Sequence, residues 1–173
     1  AGTFLARSSL LVAGTVQKVD GNLLRKSTMN ANTTALETLI DTTYDSVEGY
    51  RKASETAKSP ELKRILSDQA AKRQKTLDAL NAELTRLGGN LVTKGTATGG
   101  LHRLWLDLTN LFESGDKAAV ERVEEGEDYL AGKFEEALKA TDLDPTTRSV
   151  IQTALAEVRE GERLTDRLEE QYD

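Results

Sequence analysis

Apolar residues recur every three or four positions along four long stretches of the chain. Between about 34 and 57 the stripe is Leu36, Ile40, Thr43, Val47 and Tyr50. Between 60 and 87 it is Leu62, Ile65, Leu66, Leu77, Leu80, Leu84 and Leu87. Between 116 and 140 it runs through Val120, Val123, Leu130, Phe134 and Leu138, and between 145 and 170 through Val150, Ile151, Ala154, Val158, Thr165 and Leu168. This spacing places the apolar positions on one face of a helix. Four such helices predict an all-α protein built as a four-helix bundle.

Local punctuation supports the boundaries. Thr34-Ala35-Leu36-Glu37 has the form of a capping box, which predicts a first helix starting at Thr34. Ser59-Pro60 ends one helix and opens the next, since proline suits the first helical position, where its missing N–H costs nothing. Gly88-Gly89 closes the second helix, and Asp116 and Asp144-Pro145 open two more. Residues 88–100 (GGNLVTKGTATGG) read as loop. Leu101, Leu104, Trp105, Leu108, Leu111 and Phe112 then make a short helical stripe over 101–113. The second and third long helices are thus joined by a long crossover containing a short helix, with Trp105 and Phe112 expected to cap one end of the core.

Some positions break the pattern. Arg73 falls at the centre of the second apolar stripe, with Gln69 and Thr76 on the same face, and Glu127 falls at the centre of the third. Glu157 and Glu162 flank the fourth stripe. Arg51 lies near the first, and Glu48 about a quarter-turn off it. Buried charges are costly unless paired. The sequence therefore predicts a structural polar layer in which Arg73 meets Glu127, with Arg51, Gln69 or Glu162 satisfying the remaining groups.

Composition narrows the function. The 173 residues carry a formal net charge of -6 and no cysteine. An acidic body argues against a nucleic-acid-binding surface. Without cysteine there is no disulfide framework, thiol nucleophile or thiolate metal site. No apolar run reaches the length of a membrane-spanning helix, so no integral membrane association is expected. No glycine loop has the context of a phosphate cradle, and no nucleophile elbow accompanies the single histidine, His102.

Residues 1–28 read as an N-terminal extension and 29–173 as the bundle, with Met29 at the boundary. The extension holds Arg7, Lys18, Arg25 and Lys26 against Asp20. Leu5, Val12, Val16, Val19 and Leu23 share a helical stripe, whereas Gly14, Asp20 and Gly21 suit a hairpin. Both readings stay open, as does a foreign origin or a targeting role for the stretch.

The runs VEGYRKA (47–53), SPELK (59–63), LGGN (87–90), GLHRLWLDL (100–108) and EEGEDYL (124–130) resemble a bacterial four-helix-bundle family of ferritin-like fold, a domain of unknown function. The resemblance covers about 33–170. It implies a ferritin-like bundle and, by association, a link to stress responses. A ferritin-like di-metal site needs inward Glu-x-x-His pairs. This chain departs from that pattern, since His102 lies in the crossover and the second helix presents Gln69 and Arg73 instead. An incomplete carboxylate set of Glu48, Glu124, Glu127, Glu157 and Glu162 would have to serve. The sequence therefore favours a non-enzymatic, cytoplasmic, self-associating protein without a cofactor. A metal-binding oxidase or iron-storage protein is the alternative, and a partner- or membrane-surface-binding role through 1–28 the second alternative.

Overall fold

The computed structural model describes residues 5–93, 95 and 99–172, with side chains described at Gly21, Leu23, Lys26 and Met29 and from Ala31 onward. Its helices are α1 (Leu5–Thr56), α2 (Pro60–Arg86), α3 (Gly100–Trp105), α4 (Leu108–Ser114), α5 (Asp116–Leu138) and α6 (Pro145–Tyr172). The described residues contain no strand. Around the bundle, α1 touches α2, α2 touches α6, α6 touches α5, and α5 closes the ring onto α1. Consequently α2 and α5 face each other across the diagonal.

The termini follow elementary capping chemistry. Ser59 Oγ accepts the Leu62 N–H at 3.3 Å, with Pro60 at the first position of α2. At the other end, Gly88 takes a left-handed φ of 86°. Gly89 N–H then reaches the Leu84 carbonyl and Gly88 N–H the Thr85 carbonyl, a Schellman closure. Asp144 accepts the Thr146 N–H at 2.8 Å and opens α6.

Several expectations are corrected. Thr34 is not an N-cap: α1 continues back to Leu5, through Asp20-Gly21, with no hairpin. The threonines around it instead turn their hydroxyls back onto the helix, Thr38 to the Thr34 carbonyl and Thr42 to that of Thr38, both at 3.0 Å. A capping box marks a start only where the preceding chain leaves the helix, and Leu23 to Ala31 holds no proline to make it do so. Asp116 is not an N-cap either. Gly115 takes that place, with φ 131°. The Asp116 carboxylate accepts the Lys58 and Ser59 backbone N–H groups, each at 3.2 Å. That contact brings the start of α5 to the start of α2, so the two helices run parallel and the crossover travels the length of the bundle. The single short helix expected over 101–113 is two, α3 and α4.

Trp105 also differs from expectation. It does not cap an end; it wedges between α1 at Gly49, two turns before that helix ends, and the middle of α5 at Gly126. A Cβ added at Gly126 would lie 2.7 Å from Trp105 Cζ2, and one at Gly49 would overlap the other side of the indole. Glycine at both sites lets the crossover press its largest side chain against helix backbone. Replacing Gly126 with Ala should cost about 1–3 kcal/mol by overpacking. Gly132→Ala, six positions on in the same helix and facing open space, should instead stabilise by up to about 1 kcal/mol. Urea denaturation of the two variants checks this; a neutral Gly126→Ala would contradict the wedge.

Candidate functional site: the charged layer in the core

The apolar interior is divided in two. One cluster joins Leu36, Ile40, Leu80, Leu84, Phe134 and Ile151; the other joins Tyr50, Leu66, Leu101, Trp105, Phe112 and Val123. Polar groups from all four long helices lie between them.

Arg73 of α2 and Glu127 of α5 meet there, both with fully buried side chains. Arg73 Nη1 donates to Glu127 Oε1 and Nη2 to Oε2, each at 2.7 Å, a bidentate pair. Nε donates to Glu157 Oε2 of α6 at 2.9 Å, and Nη1 also to Ser46 Oγ of α1 at 2.5 Å. Thr76 Oγ1 donates to the same Glu157 oxygen at 3.2 Å. The guanidinium also sits 5.5 Å from the Tyr50 ring centroid, and Tyr50 packs tilted against Trp105 at 6.2 Å.

Electrostatics follow from this packing. Burial works against the Arg73 charge, but the Glu127 carboxylate outweighs it and holds the guanidinium pKa above its usual value. Burial, then the Glu127 charge, pushes the Tyr50 phenol well above its ordinary range. Its hydroxyl has no partner with hydrogen-bond geometry among the described residues. Gly161 makes room for the pair: a Cβ there would collide with Glu127 Oε2 and lie 3.0 Å from Arg73 Nη2.

The other sequence candidates are distributed differently. Arg51 is a correction: it is exposed, pairs with Glu48 at 3.0 Å and donates to Gln74 at 3.2 Å, outside the layer. It and Glu48 line a cleft of about 580 Å³ beside α1, with Tyr44, Asp45, His102 and Trp105. Burial, and secondarily Asp41, pushes the Asp45 carboxyl up to about 6. Gln69 is buried but makes no bond to Arg73 or Glu127. Glu162 lies beside Asp128 rather than on Arg73, and burial, then Asp128, pushes it up to about 7. Glu124 joins Asp166 and Glu169, with carboxylate oxygens within 4.8 Å of one another on the outer face of α5 and α6. The five carboxylates of the metal alternative are therefore not gathered at one point. Sequence reasoning missed Ser46 in the layer, although its place beside Val47 on α1 is compatible with the buried face.

Removing one partner of a buried pair leaves an uncompensated charge, which costs about 3–5 kcal/mol. Arg73→Met strands two carboxylates, whereas Glu127→Leu leaves Arg73 with Glu157, so the arginine change should cost more. The double variant should cost less than the sum of the two. A double-mutant cycle by urea denaturation measures this, and two near-neutral single variants would contradict it.

Glu162 generates a pH prediction. Its folded pKa of about 7 lies above the ordinary 4.5, so the folded state holds the proton more tightly. The resulting stability is complete below pH 4.5 and lost as pH rises through about 7. Glu162→Gln should therefore match the parent chain at acid pH and exceed its denaturation midpoint at pH above 7. An unchanged difference across that window would contradict the assignment.

No curated protein and no solved structure matches the chain. Residues 31–140, covering α2 to α5 and the bundle portion of α1, match one family, and the chain belongs to it: DUF2383, a domain of unknown function.

Proposed function

We propose that this chain is a non-enzymatic, self-associating helical-bundle protein of ferritin-like type, with a stress-related role in the bacterial cytoplasm. Its core charges serve to fix helix register. One observation carries the reading: the carboxylates nearest the bundle centre, Glu127 and Glu157, are engaged by Arg73. A guanidinium cannot ligate a metal ion and repels one. A cation entering the layer would have to displace Arg73 from bonds to three side chains. The dispersal of Glu48, Glu124 and Glu162 away from that point weighs the same way.

Self-association has its own support. Among the described residues, no helix is long and apolar enough to cross a membrane. Yet Leu23 and Met29 on α1 are 58% and 55% exposed. Apolar side chains on a helix that extends past its bundle suit burial against a second copy.

Metal analysis of the full chain, purified without chelator and after incubation with ferrous iron, tests the non-enzymatic reading. The expected result is no stoichiometric iron. A stoichiometric di-iron centre lost on Glu127→Ala would overturn it in favour of the oxidase alternative.

A further inference from the structure

The groove between α2 and α6 holds a cavity of about 260 Å³, distinct from the cleft beside Trp105. Gln69 and Lys72 of α2 line it, three residues apart and so on one helix face. Glu157, Glu160, Arg163 and Arg167 line it from α6, again at helical spacing.

Two features set this cavity apart. Gln69 is only 4% exposed, yet its amide stays accessible at the cavity and makes no hydrogen bond among the described residues. An accessible amide without a protein partner is free both to donate to and to accept from a ligand. Lys72, Arg163 and Arg167 are exposed at the mouth and form no ion pair among the described residues. On the same helix, Arg159 does find an acid, Glu135, at 3.2 Å.

We propose that this cavity binds a small phosphorylated polyol. The phosphate would sit at the mouth among Lys72, Arg163 and Arg167, where guanidinium forks suit its oxygens. A hydroxyl would point inward to Gln69, whose amide both donates and accepts. The inner wall also selects. Glu157 Oε1 is buried and has no partner among the described residues. It disfavours a bare phosphate pushed inward and favours a ligand that ends there in a hydroxyl donor. The volume lies just under the usual range of about 300–1,000 Å³ for ligand pockets, which suits a small molecule. Leu164 is the one apolar side chain in the lining, so an apolar ligand would find little to bury against. The groove shares Glu157 with the Arg73 layer, but the inference does not depend on whether that layer fixes helix register.

Isothermal titration of the full chain with ribose 5-phosphate, paralleled by amide chemical-shift mapping, tests it. Saturable one-to-one binding is expected, with shifts centred on 69–72 and 157–167. Ribose and inorganic phosphate should each bind about tenfold or more weakly. Arg163→Ala/Arg167→Ala, both on the surface, should weaken binding by about tenfold or more without lowering the melting temperature. Gln69→Leu should weaken it likewise, and Arg159→Ala should leave it unchanged. Absence of saturable binding at roughly 10 mM ribose 5-phosphate would overturn the proposal. So would an Arg163→Ala/Arg167→Ala variant that binds as well as the parent chain. Equal binding of inorganic phosphate would overturn the polyol assignment.

Discussion

The structure turns on one desolvated guanidinium. At the height of Arg73 all four long helices contribute: Ser46 from α1, Arg73 itself from α2, Glu127 from α5 and Glu157 from α6. An unpaired charge at that depth would cost about 3–5 kcal/mol, a large share of the stability of a marginally stable domain. The pairing is therefore a condition on the whole fold rather than an addition to it. It also fixes register. Apolar side chains tolerate rearrangement of their neighbours, but a bidentate pair has one good geometry. Sliding α2 by one turn, about 5.4 Å, would carry the guanidinium into one of the apolar clusters. Gly161 belongs to the same constraint, because any side chain there would occupy the volume of the Glu127 carboxylate.

The crossover is tied to this layer through aromatic packing. Trp105 presses against α1 and α5 where Gly49 and Gly126 leave space, next to Tyr50 and Glu127 in sequence. Tyr50 contacts both the indole, at a tilt, and the guanidinium. The connection is held at its two ends as well. Asn81 clamps the Val92 backbone with two hydrogen bonds at 3.1 Å, and Asp116 ties the start of α5 to the link between α1 and α2. A connection long enough to run the length of the bundle is thereby anchored at its beginning, middle and end.

What was legible in the sequence divides along physical lines. Periodicity located α2, α5 and α6, and local signals fixed the ends of α2 and the start of α6, because Pro60, Gly88 and Pro145 act through backbone geometry. The same logic failed at Thr34, where a capping motif lies within a continuing helix and its threonines bond backward. Helical projection put Arg73 and Glu127 on inward faces. It could not separate Arg51, whose long side chain reaches solvent and Glu48 from the edge of its stripe. It could not show Trp105 as a wedge, since that depends on two glycines from different helices meeting one ring. Nor could it rank Glu157 above Glu162, which flank the same stripe and are told apart only by the side of α6 that meets α2.

That difference between the two flanking glutamates has an electrostatic consequence. Arg73 brings one positive charge into the layer, and Glu127 and Glu157 bring two negative ones. Glu162 stands near this layer, where burial first, then Asp128, then Glu127 and Glu135 disfavour its ionised form. With a pKa of about 7, it holds a proton for part of the time at neutral pH, which relieves the repulsion. Glu157, on the other flank, accepts from both Arg73 and Thr76 at one of its oxygens. The two flanking acids of α6 thus differ in role: Glu157 is engaged in the core by Arg73, and Glu162 is protonated for part of the time at neutral pH.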